Sequence, residues 1–175
     1  NAAMFAVEIV SGMQAESVAL LADSLDFLGD AANYGISLWV LGLGLSTRAR
    51  ASLLKALSMA AFGVWVLGYT TWQATTGVIP SAPTMGLIGV LALAANLGVA
   101  GLLYAYRGGD SNMRSVWLCT RNDALGNVAV MLAALGVLGT DTAWPDMIVA
   151  SLMAGLALSS AWQVIRHARD ELVTV

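Results

Sequence analysis

The sequence predicts an all-α fold: a six-span transmembrane helical bundle with both termini on the cytoplasmic side. Three observations predict it. The chain of 175 residues is 58% hydrophobic and 11% charged, and its mean hydropathy is +0.76; a soluble domain usually carries about 25% charged residues. Six long apolar runs are separated by short polar or Gly/Pro breaks, and a membrane-crossing helix needs about 20 such residues. The eight Lys and Arg residues fall at alternate connections, as the positive-inside rule requires of a protein that crosses an even number of times.

The runs cover roughly 1–13, 17–45, 51–74, 84–106, 114–138 and 145–165. The first is short and reads as a span cut short. The breaks are "MQAES", "STRAR", "TTGVIPSAP", "YRGGDSNMR" and "GTDTAWPD", and such short connections make neighbouring helices antiparallel. Arg48, Arg50 and Lys55 lie around the second-to-third connection. Arg107 and Arg114 lie around the fourth-to-fifth, with Arg121 just inside the fifth span, and Arg166 and Arg169 follow the sixth. Small residues recur every fourth position at Ser52, Ala56 and Ala60, and at Ser151, Gly155 and Ser159. They read as ridges for close helix packing in lipid. One transmembrane domain is expected over 1–175, with no cytoplasmic domain after the sixth span. The net charge of −3 with no basic block excludes nucleic acid as a partner, and a single cysteine, Cys119, excludes an internal disulfide.

The second span carries chemistry. In "ADSLDFLGDAANYG", residues 22–35, Asp26 and Asp30 are four apart and share a helix face, with Asp23 and Asn33 continuing the stripe. Three deep Asp residues would cost on the order of 8–10 kcal/mol, against about 4–7 recovered from the apolar residues of the span. The carboxylates therefore need partners, protons or a water-filled cavity. Asp23, nearest the "MQAES" turn, is expected to be solvated at the outer surface. The fifth span offers a matching stripe, Cys119, Asp123 and Asn127 at four-residue steps. If the two stripes face each other, Asp26, Asp30, Cys119 and Asp123 form a set of three oxygens and one thiolate. Such a set suits a tetrahedral, borderline-soft ion, zinc or cadmium, better than magnesium or calcium. Arg121 reads as reaching toward the cytoplasmic edge, and His167 as part of the cytoplasmic end.

The runs "NAAMFAVEIVSGMQAESVALLADSLDFLGDA", "RNDALGNVAV" and "WPDMIVASLMAGLALSSAWQVI" resemble cation diffusion facilitators over nearly the whole chain. The resemblance implies a six-span exporter of divalent transition metals in exchange for protons, usually a homodimer. It implies a site with two ligands from the second span, matching Asp26 and Asp30, and two from the fifth. The fifth-span pair commonly reads His-x-x-x-Asp. Here Asp123 matches the Asp, and Cys119 stands at the His position, which bears on zinc against cadmium. The His-rich loop of some members is missing from "YRGGDSNMR". The expectation is a transporter in the bacterial inner membrane, not an enzyme, with the divalent cation as cargo and no cofactor. With no metal bound, three crowded carboxylates and a thiol cannot all be ionised, so metal and protons compete for one pocket. An intramembrane aspartyl protease and a non-transporting protein with buried structural Asp residues are the alternatives.

Overall fold

The computed structural model describes residues 1–40, 44–104 and 111–173; the side chains at 37, 38, 40, 45, 103, 111–122 and 171 lie outside the described set. All regular structure among the described residues is α-helical. The six helices are α1 (Ala2–Gln14), α2 (Val18–Val40), α3 (Leu45–Thr76), α4 (Ala82–Tyr104), α5 (Ser111–Thr140) and α6 (Trp144–Val173).

Local chemistry sets most of the boundaries. α3 stops at Gly77, whose φ of 66° only glycine adopts without strain. Pro83 and Pro145 stand in the first turns of α4 and α6, where a missing N–H costs nothing. The start of α3 departs from expectation. The segment "STRAR" forms its first turns after a Gly44 N-cap, because it contains neither Gly nor Pro to stop a helix.

Four helices contain stretches long and apolar enough to cross a membrane: Ser46–Thr76, Ala82–Leu102, Asp123–Thr140 and Trp144–Asp170. α2 is long enough at 23 residues but carries the three Asp residues. α1, at 13 residues, would reach about 20 Å at 1.5 Å per residue. Leu87, Leu102, Leu132, Leu138 and Leu156 are all more than 60% exposed. Outward leucines on this scale fit a lipid surround and not water.

α2 is central and touches every other helix. α3 packs along α6, and α4 along α5. A Cβ on Gly63 would lie 3.2 Å from Leu158, so glycine sets how closely α3 and α6 approach. The ridge on α6 is not the expected one. Ser151, Gly155 and Ser159 are exposed, whereas Ala150, Ala154, Ala157 and Ala161 are buried. Steps of four, three and four track the 3.6-residue turn, while strict steps of four drift around the helix.

The apolar core gathers at one end of the bundle, around Ala15, Leu21, Met85, Val137 and Met147. The α1–α2 turn there is held from three sides. Gln73 Nε2 of α3 donates to the Glu16 carbonyl at 2.6 Å. Ser81 N, just before α4, donates to the Ala15 carbonyl at 2.8 Å. Asp146 of α6 accepts from Ser17 Oγ at 2.7 Å, Val18 N at 2.8 Å and Ala19 N at 3.0 Å. The first amides of α2 thus find a carboxylate from another helix, on the end where the helix dipole favours one. At the opposite end Ser52 of α3 and His167 of α6 line one shallow cleft. Arg48, Arg50, Arg166 and Arg169 are exposed on those same helix ends.

Candidate metal centre

The acidic face of α2 meets α5. Asp23 is fully buried, contrary to the expected solvated position, because α1 and α5 cover it. Its Oδ2 accepts from Asn127 Nδ2 at 2.7 Å, and Asn127 Oδ1 in turn accepts from Asn96 Nδ2 at 2.8 Å. A hydrogen-bonded chain therefore crosses from α4 through α5 to α2. Glu8 of α1, also fully buried, approaches Asp23 within hydrogen-bonding reach. Both Glu8 oxygens and Asp23 Oδ1 nevertheless lack a donor among the described residues. Two carboxylates offer acceptors only, so a proton between them is what would satisfy both. Reading for stripes passed over Glu8 and Asn96. The one signal was a single acid, Glu8, in the apolar run of α1.

Deeper along α2, Asp26 lines a cavity of about 520 Å³ together with Asp123 of α5. Met59 of α3 and Gly126, Met153 and Ser160 of α5 and α6 complete its wall, along with apolar residues. Gly126 of α5 faces two acids of α2. A Cβ there would sit 3.7 Å from Asp23 Oδ1 and 3.8 Å from Asp26 Oδ2. Asp26 also lies close enough to Asp23, Asp30 and Asp123 for their charges to act on it. One oxygen of Asp123, Oδ2, is buried without a donor among the described residues.

Asp30 is one turn further along and half-buried, and its Oδ2 accepts from Asn1 Nδ2 at 2.9 Å. Asn33 leaves the stripe: it is exposed, and its Oδ1 accepts from Lys55 Nζ at 2.6 Å. Cys119 lies on α5 one helical turn before Asp123, but its side chain, like that of Arg121, is outside the described residues. His167 is exposed near the end of α6, with Nδ1 3.0 Å from the Gln163 carbonyl. Among the described residues no three His, Cys, Asp or Glu side chains are grouped closely enough to hold one ion. Asp26 and Asp123 are thus the expected ligands that demonstrably share a cavity.

A family model described as the cation efflux transmembrane domain matches residues 1–173. The chain belongs to the cation efflux family. This cation efflux domain is 27% identical to the zinc transporter ZitB of Pectobacterium atrosepticum, over 99% of the chain and 58% of that protein. It is 26% identical to the cadmium, cobalt and zinc/H(+)-K(+) antiporter of Bacillus subtilis, over 91% and 56%. It is 22% identical to the metal cation efflux system protein CzcD of Cupriavidus metallidurans, over 95% and 56%. The chain thus spans a little over half the length of these curated relatives. The cation efflux domain is an integral membrane protein with bacterial relatives, and its family is one of transporters rather than enzymes.

Proposed function

We propose that this domain exports divalent transition-metal cations of the zinc and cadmium type from the cytoplasm in exchange for protons, by alternating access in the bacterial inner membrane. The observation that carries the reading is the shared cavity. Asp26 and Asp123, from helices far apart in the chain, line one space among membrane-spanning helices. An intramembrane carboxylate marks an ion path unless another role is found for it.

The cargo binds between α2 and α5, with Asp26, Asp30, Cys119 and Asp123 as its ligands. Before it arrives, the carboxylates hold protons, because no cation faces them among the described cavity-lining residues and like charges crowd them. A divalent cation needs ligands that have given up their protons, so its arrival expels them. The protons leave toward one side, and when the cavity opens to the other side fresh protons displace the metal. Cation and protons therefore occupy the pocket alternately. Both termini lie in the cytoplasm, as the Lys and Arg distribution supports, and the working form is a homodimer, as in the family that the chain resembles.

The test is flux into liposomes with zinc, cadmium, cobalt, nickel and manganese compared side by side. Asp30→Ala and Asp123→Ala abolish metal-dependent proton movement, and Asp26→Ala nearly does. Intact transport in either of the first two refutes the ligand set. Cys119→His keeps function and moves preference from cadmium toward zinc; a Cys119→Ala protein unchanged for every metal removes the thiolate from the set.

A further inference from the structure

The carboxylates and the sulfurs of the cavity come from different helices. Asp26 and Asp123 stand on α2 and α5, while Met59 and Met153 reach in from α3 and α6. Among the described lining residues these two are the sole sulfur-bearing side chains. Both reach over glycines beside the acids. Met59 brings its Cε to 3.0 Å and its Sδ to 3.5 Å of the point where a Gly29 Cβ would stand, next to Asp30 in the chain. Met153 Cε comes within 3.3 Å of the corresponding point at Gly126, itself 3.8 Å from Asp26 Oδ2. A Cβ at either glycine would press on the terminal methyl of the methionine above it, which would have to give by a few tenths of an ångström.

We propose that Met59 and Met153 are specificity-determining residues, their thioether sulfurs favouring cadmium over zinc as a cation moves through the cavity. The proposal rests on the transport reading above. A thioether is a neutral and polarizable donor. It adds attraction for a soft cation without changing the net charge of the carboxylate set, and hard ions gain nothing from it. Packing alone does not require sulfur here, since leucine fills a similar volume.

That equivalence supplies the test. Met59→Leu, Met153→Leu and the double variant are reconstituted in liposomes, and initial rates are read for cadmium and for zinc. The cadmium-to-zinc rate ratio falls about five-fold in the double variant while the zinc rate stays within about two-fold. An unchanged ratio, or equal loss for both metals, overturns the proposal and leaves the methionines a packing role. A second measurement is independent of transport. In Cys119→Ser protein loaded with cadmium, X-ray absorption shows a sulfur neighbour that is lost when Met59 and Met153 are also replaced by Leu. No sulfur neighbour in the Cys119→Ser protein overturns the proposal. If the unmutated protein carries neither metal, the transport reading fails, and the absorption result alone decides the role of the methionines.

Discussion

Asp23 carries no water-facing surface, and its environment explains what a replacement would do. Its Oδ2 is the acceptor for the buried Asn127 amide. Asp23→Leu strands that amide, at a cost of about 1–3 kcal/mol. Asp23→Asn keeps an acceptor oxygen in place and costs much less. In detergent the Leu variant melts lower by about 2–4 °C for each kcal/mol lost, and equal melting of the two variants would show that the Asn127 bond contributes nothing. Sequence alone placed Asp23 in solvent because depth was judged from its distance to a turn. That inference fails when the turn itself is buried, as Ala15 and Ser17 are here. Asp26 and Asp123 were legible because an acid amid apolar residues has few reasons to exist. Glu8 satisfied the same condition, but without a second acid at helical spacing it formed no pattern.

Among the elements, α2 and α6 are joined most specifically, through one carboxylate. Asp146 accepts three donors from the start of α2, and Asp146→Ala leaves buried donors unsatisfied at about 1–3 kcal/mol each. The expected result is faster hydrogen–deuterium exchange over residues 17–20 with unchanged exchange around Asn96 on α4. Uniform acceleration along the chain would instead mean global destabilisation. The existence of six helices was readable from apolar runs and short breaks, since backbone groups in lipid must be bonded within their own segment. Two features were not readable. The first turns of α3, residues 45–50, are mostly polar, so hydropathy began the span after the helix had begun. The buried side of α6 depended on its neighbours, because small residues occur on both of its faces and the packing of α3, α2 and α5 decides which one is covered.

Across the whole molecule, the two ends differ in kind. One end carries the three-sided grip on residues 15–17, and the other carries the exposed Arg48, Arg50, Arg166 and Arg169. This polarity was the feature most plainly written in the sequence, because charge distribution depends little on packing detail. It gives an orientation experiment. In a Cys119→Ser background, Thr142→Cys reacts with a membrane-impermeant thiol reagent on intact cells, and Arg169→Cys reacts only after permeabilisation. The reverse pattern would invert the bundle and turn the proposed export into import.

The grip on residues 15–17 has a consequence for leakage. Three neighbours depend on one short turn, so parting any one of them exposes a buried carboxylate, carbonyl or amide that the others cannot satisfy. Partly undone arrangements are therefore the costly ones, so in the proposed alternating-access cycle this end is either fully held or fully parted. If the proposed proton exchange holds, a carrier that spends almost no time ajar lets few hydrogen ions slip through unaccompanied, which preserves the gradient that such a cycle draws on.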